Sequence, residues 1–243
     1  MPATLRSVLL LPGLACDTEL FAAQQAALAA GPHAPRVRVI EVHTQEPTLP
    51  RMAARLLHEQ PGRHVLIGAS MGGMLALEVW RQAPQRVQAI ALLGSTARPD
   101  TPELIRLRTQ AVAMFAAGRI DEVLRASVLF AFHPLHTRRR DLVNAYRAML
   151  RRAGAEQLIA QNRAVMARVD SRPLLPTITC PLLVACGEAD ALTPPEHARE
   201  IAALAPQARL EIVPGAGHML TLEQPERVNA LLGHWMADIS PRA

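Results

Sequence analysis

A chain of 243 residues, half of them hydrophobic and 19% charged, can bury a full core, which excludes a disulfide-stapled miniprotein and a disordered segment. All 26 Lys+Arg residues are arginine, so Schiff-base catalysis, pyridoxal chemistry and a phosphate-loop lysine are excluded. The net charge of +5 does not imply nucleic acid, because only 3% of the residues are aromatic and no zinc-finger or RNA-recognition signature is present.

In chain order, residues 1–13 (MPATLRSVLLLPG) hold one arginine and a short apolar run broken by Pro12 and Gly13. That run is too short for a signal-peptide core or a membrane span. The three cysteines, Cys16, Cys180 and Cys186, lack paired spacing and read as free thiols, so a cytoplasmic protein is expected. Runs rich in leucine and β-branched residues predict strands at 7–11, 37–42, 64–68, 89–93, 182–186 and 209–213. Ala-rich stretches of helical period fill the gaps, the alternation of a mostly parallel sheet flanked by helices.

The rhythm breaks over 98–172. Thr101-Pro102 predicts a helix cap and first position, Gly118 a stop, Thr137 a second cap and Gly154 a second stop, so four helices are expected. The stretch holds 14 Arg against 7 Asp+Glu, a net +7, which leaves −2 for the rest. The expected division is therefore an α/β core from 1–97 and 173–243, with 98–172 as an all-helical insertion.

The strongest local signal is Gly68-Ala69-Ser70-Met71-Gly72, placed between the strand run HVLIG and the helical run GGMLALEVWRQ. A serine on a tight strand-to-helix turn presents its hydroxyl at the strand's carboxyl end, and small neighbours let strand and helix pass closely. Serine needs a base, and His218 in Pro214-Gly215-Ala216-Gly217-His218 follows the last strand on a glycine loop. Of the other histidines, His33, His43, His58 and His64 precede the serine, and His197 and His234 lie in helical patterns. His133 and His136 fall in the insertion, where they can serve only as pocket lining. A carboxylate must orient the imidazole, and Asp190, just after the strand LLVAC, is the candidate, with Glu188 its local competitor. Two backbone N–H groups are needed for the oxyanion: Met71 follows the nucleophile, and Leu14 lies just past the first strand and Gly13.

In the order PGL, GASMGG, GEADALTP, GAGHM, with a helical insertion between serine and acid, the chain resembles the α/β-hydrolase superfamily along nearly its whole length. The order Ser, Asp, His fits as well, with separations of 120 and 28 residues. The resemblance implies a mostly parallel central sheet, a helical cap over the site, and a hydrolase acting through a covalent acyl-serine. Pro12-Gly13 stands where His-Gly is usual, a change that a backbone donor tolerates, and the HGGG form of the loop is absent.

The expected function is hydrolysis of a carboxylic ester, thioester or lactone by Ser70, His218 and Asp190, with Leu14 and Met71 as oxyanion donors and with no metal or cofactor. The same residues suit a C–C bond hydrolase, lyase or perhydrolase, and the fold also serves non-catalytic receptors. The basic insertion points to an anionic or carrier-bound acyl substrate, such as a CoA ester or an acyl-carrier protein. Trp80, Met74 and the stretch 111–117 read as core or cap-interior packing, with Met114 and Phe115 as candidate acyl-pocket lining, and Cys16, two residues past Leu14, reads as a packing residue or as a reactive or substrate-touching thiol. Arg138-Arg139-Arg140 reads as a solvated helix start. Oligomeric state leaves no signal.

Overall fold

Six strands form one sheet: β1 (Ser7–Leu11), β2 (Arg36–Val39), β3 (His64–Ala69), β4 (Val87–Leu93), β5 (Leu182–Gly187) and β6 (Ala208–Val213). They lie in the order β2-β1-β3-β4-β5-β6, and every neighbouring pair is parallel. The structure is a computed structural model that describes residues 7–30 and 34–239. Residues 1–6 of the stretch weighed as a leader, and His33, lie outside the described residues.

Parallel strands covered on both faces must be apolar on both, and β3 is buried along its whole length. In β1, Val8 and Leu10 join the core on one face while Leu9 and Leu11 join the core on the other. Each such side chain contributes about 1.5–3 kcal/mol by leaving water. The edges differ in kind. β2 alternates arginine and valine, and β6 carries the paired Arg209 and Glu211, charges that discourage pairing with a further strand. β2 ends at Val39 rather than continuing to Val42, because its partner β1 turns away at Pro12-Gly13. The last ladder bond runs from Ile40 N to Leu10 O (2.9 Å), and Val42 opens a 3-10 turn instead.

The helices are α1 (Ala22–Leu28), α2 (Leu49–Glu59), α3 (Met71–Gln82), α4 (Pro102–Ala116), α5 (Ile120–Ala131), α6 (Arg140–Met166), α7 (Pro195–Leu204), α8 (Leu220–Glu223) and α9 (Pro225–Ile239). α2 starts where the Thr48 side chain accepts from Arg51 N, and it buries Leu49, Met52, Ala53 and Leu56. That spacing makes one apolar stripe, which packs on α3. No helix of the described residues is long and apolar enough to cross a membrane.

Between β4 and β5 come α4, α5 and α6. The Thr101 hydroxyl accepts from Leu104 N (3.3 Å) with Pro102 in the first turn, and Gly118 follows α4 at φ +73°. α6 spans 27 residues but breaks at Gly154 (φ 73°, ψ 173°), so four helical pieces are present as expected. Thr137 caps none of them. Its hydroxyl is committed to Pro134 O (2.9 Å) in the preceding 3-10 turn, and α6 begins after Arg139. The core on one sheet face continues into this region through Phe115, Leu124, Val128, Phe132 and Tyr146.

Candidate active site

β3 leads into Ser70, which adopts φ 51°, ψ −114° before α3 begins. A non-glycine residue in this region costs about 1–3 kcal/mol and persists only when its surroundings fix it. Here Ser70 N donates to Leu93 O (2.9 Å), and the Ser95 hydroxyl donates to Ser70 O (2.8 Å). The flanking glycines are sterically required. A Cβ on Gly68 would strike the Gly72 carbonyl, one on Gly72 would strike the Leu11 carbonyl, and one on Gly73 would lie 2.6 Å from Ser95 Cβ. The helix N-terminus beside Ser70 favours negative charge developing there.

Asp190 and His218 come from the loops after β5 and β6. His218 Nδ1 lies 2.9 Å from Asp190 Oδ2 and 3.0 Å from Oδ1. Asp190 Oδ1 also accepts from the amides of Leu192 (2.9 Å) and Thr193 (2.8 Å), and its Oδ2 from the Thr193 hydroxyl (2.8 Å). Burial acts to raise the Asp190 carboxyl, yet the facing His218 charge and hydrogen bond, with the Thr193 donors, hold it below the usual carboxylate range. An Nδ1–H donated to this carboxylate leaves Nε2 with its lone pair free to take a proton.

The end of β4 joins these parts. Leu93 O receives the Ser70 amide, and the next residue, Gly94, sits at φ +53°. A side chain there would come within 3.2 Å of Asp190 Oδ2 and 3.4 Å of His218 O. The sequence predicts no role for this glycine, because its constraint comes from loops some 100 residues further on.

The loop after β1 presses on the serine: a Cβ on Gly13 would lie 3.3 Å from Ser70 Cβ. Leu14 and Met71 both border the cavity that contains Ser70. Cys16 N closes a turn onto Gly13 O (3.1 Å), and Ala15 takes φ 57°. Ala15 and Ser70 are the two non-glycine residues with positive φ among the described residues. A buried side-chain relay secures the loop. Ala15 N donates to Gln161 Oε1 (2.6 Å), Gln161 Nε2 donates to His43 O (3.2 Å), and His43 Nε2 meets Cys16 O (2.9 Å). The Cys16 carbonyl can only accept, so His43 Nε2 carries a proton and donates to it, while burial pushes the His43 pKa down. Neither Gln161 nor His43 stands in a motif, since the contact spans 146 residues.

The cavity holds about 240 Å³ and is bordered by Ser70, His218 and Thr193 on the sheet side and by Arg108, Tyr146 and Leu150 from the insertion. His197, Met74 and Cys16 also border it, although the sequence places His197 only in a helical pattern and reads Met74 as packing. His133 and His136 do not. They turn to Glu188 and Glu223, with His136 Nδ1 2.9 Å from Glu223 Oε2. Met114 and Phe115 are also absent from the lining, and Phe115 is buried in the core instead. Glu188 accepts from Gly215 N (2.7 Å), bracing the histidine loop rather than facing His218. Cys16 is buried, and burial, with Asp17 beside it, pushes its thiol up to about 12, which suits packing rather than nucleophilic chemistry.

A sequence model of the alpha/beta hydrolase fold matches residues 44–225. The chain belongs to the α/β-hydrolase family. It is 31% identical to a pimeloyl-(acyl-carrier protein) methyl ester esterase of Aromatoleum aromaticum, over 76% of this chain and 79% of that one. It is also 31% identical to the dihydrolipoyllysine-residue acetyltransferase component of an acetoin cleaving system of Pseudomonas putida, over 72% of this chain but 46% of that protein. Among solved structures, a thermophilic esterase from Thermogutta terrifontis superposes with a TM-score of 0.87 at 28% identity, covering 98% of this chain and 92% of that one. The enol-lactonase of Burkholderia xenovorans shares the fold, with a TM-score of 0.86 at 21% identity over 97% and 92% of the two chains.

Proposed function

We propose that the protein is a serine hydrolase of carboxylic esters, including thioesters and lactones, that works through an acyl-serine on Ser70. One observation carries the reading: Leu93 O at the end of β4 takes the Ser70 amide, and the next residue, Gly94, has no side chain where one would press on the Asp190 carboxylate and the His218 carbonyl, so serine turn, acid and histidine loop converge on one strand end. In this mechanism His218 Nε2 takes the Ser70 proton as the oxygen attacks the carbonyl, while Asp190 holds the imidazole and balances its charge. The amides of Leu14 and Met71 receive the oxyanion. The tetrahedral species collapses as His218 protonates the leaving alcohol or thiol. Water then repeats the sequence on the acyl-enzyme, releasing the acid and restoring Ser70.

In this reading 1–97 and 173–243 form the catalytic core, and 98–172 is a cap that closes over it. The insertion residues Arg108, Tyr146, Leu150 and Val165 on the cavity wall support this division. The esterase names of the relatives support the reaction class. The test is a panel of p-nitrophenyl and methyl esters, lactones and acyl thioesters assayed beside Ser70→Ala, with fluorophosphonate labelling. Ester turnover that persists in Ser70→Ala overturns the reading.

A finer reading places an anionic or carrier-bound small acyl compound in the site. It rests on the net +7 of residues 98–172 and on the carrier-protein ester named for the A. aromaticum relative. The prediction is a kcat/KM that falls more steeply with salt for anionic than for neutral esters; equal slopes remove it. All three cysteines are free, which accords with a cytoplasmic setting.

A further inference from the structure

We infer that the cavity contains a carboxylate-binding subsite centred on Arg108, which recognises a free acid group carried by the ester that Ser70 cleaves. The inference rests on the serine hydrolase reading and narrows its substrate class to monoesters of dicarboxylic acids.

Beyond the proposed triad, the acidic and arginine side chains bordering the cavity are Arg98, Arg108 and Arg168 against a single Asp100. Their hydrogen bonds separate structural groups from an available one. Asp100, with 1% of its side chain exposed, is gripped by Arg168 Nη2 at 2.8 Å and Arg108 Nε at 2.7 Å. Arg168 is 6% exposed and engaged through all three nitrogens, since its Nε also donates to Arg98 O (2.9 Å) and its Nη1 to Val165 O (2.8 Å). Arg98 is occupied as well, with Glu200 bound at 2.7 and 3.2 Å.

Arg108 differs from both. Its side chain stays 29% exposed, Nε rests on Asp100, and Nη1 donates to Asn162 Oδ1 (3.0 Å). Asn162 Nδ2 is in turn fixed on Leu158 O (2.7 Å), which sets the amide's orientation and with it the plane of the guanidinium. Nη2 makes no hydrogen bond among the described residues. Two guanidiniums therefore share one carboxylate, and Arg108, held through two of its three nitrogens, is the one with a donor edge left over. On the cavity wall, one uncompensated positive charge beside a planar donor edge fits a second carboxylate. Because Arg108 is already held in place, little ordering remains to oppose binding. Met74, Leu104, Leu150 and Val165 supply apolar lining in the same cavity, suited to the methylenes that separate the two ends of such a substrate.

The experiment compares methyl hydrogen succinate, glutarate and adipate with the matching dimethyl diesters, using wild type, Arg108→Gln, Arg108→Lys and Ser70→Ala. The readout is the ratio of kcat/KM for each half-ester to that for its diester. Wild type is expected to favour a half-ester, and Arg108→Gln to lower the ratio about 10- to 100-fold, the range for losing hydrogen bonds to a charged group. Arg108→Lys should recover part of it. As a check independent of any variant's folding, free glutarate or adipate should compete against neutral ester hydrolysis by wild type more strongly than butyrate or hexanoate. A half-ester ratio that is the same in wild type and Arg108→Gln, or equal inhibition by mono- and dicarboxylates, overturns the subsite while the esterase assignment stands. Turnover of both ester classes by Ser70→Ala overturns the assignment beneath it.

Discussion

The sheet end and the helical insertion border the same cavity but are held together by different means. At the sheet end the backbone sets the geometry: Ser70 is fixed by a carbonyl of β4, Asp190 takes two amides, and Gly68 and Gly72 leave no room for a side chain. In the insertion many contacts are exposed ion pairs within or between helices, such as Arg106–Glu103, Arg119–Glu122 and Arg151–Asp121, which water and salt screen. Leu107, Leu129, Phe130 and Leu135 stand exposed there. Bond-making chemistry needs reacting groups held to fractions of an ångström, and a saturated backbone frame supplies that. Substrate choice can reside where side chains exchange without unfolding the frame.

The largest effect that separates the two regions is chemical. Ser70→Ala, or Asp190→Asn, is expected to reduce kcat for a p-nitrophenyl ester by roughly 10⁴- to 10⁶-fold, with the thermal midpoint of Ser70→Ala near that of wild type. A modest loss would mean that the groups meeting at the end of β4 are not the reacting ones. Next comes Gly72→Ala, where the new methyl meets the backbone of Leu11 and Pro12. Neither neighbour is a side chain that can swing aside. Overpacking against rigid neighbours costs about 1–3 kcal/mol, which for a chain of this size lowers Tm by roughly 2–4 °C per kcal/mol. Differential scanning calorimetry checks it. Gly118→Ala is the companion in the insertion: open space surrounds that position, and only its positive φ opposes the change.

Where geometry follows from local order, the sequence is readable. The strained turn at Ser70 forms because strand, turn and helix adjoin along the chain, and the loops that carry His218 and Asp190 are likewise strand-end features. Cap and stop residues located most of the insertion's helices, and the exception is instructive: Thr137 fails as a cap because it closes the preceding 3-10 turn in helical backbone conformation, and α6 begins only after Arg139. β2 stops short of Val42 because register belongs to its partner as much as to itself. What periodicity does not carry is the meeting of distant side chains. Gln161 with Ala15, Arg108 with Asn162 and Glu223 with His133 and His136 are pairings of tertiary packing, and nothing in the spelling of either partner announces the other.

Gln161 is the place where the two regions cease to be separate, because a side chain of α6 accepts the amide of Ala15 next to the proposed oxyanion donor Leu14. Removing it in Gln161→Ala leaves a strained loop with an unpaired buried N–H and takes a donor from His43 O. A donor displaced by a fraction of an ångström is felt only as charge develops on the substrate oxygen. The expected result is a kcat roughly tenfold lower with KM little changed. A purely structural role predicts a lower Tm with kcat intact in the folded fraction, so steady-state kinetics and calorimetry on the same preparation separate the two. The smallest effect belongs to Arg119→Gln, which breaks an exposed pair on the outside of the insertion and should leave both kcat and Tm at their wild-type values. If Arg119→Gln alters kcat as much as Gln161→Ala does, the insertion acts on chemistry through its whole body rather than through one relay, and the contrast between frame and cover dissolves.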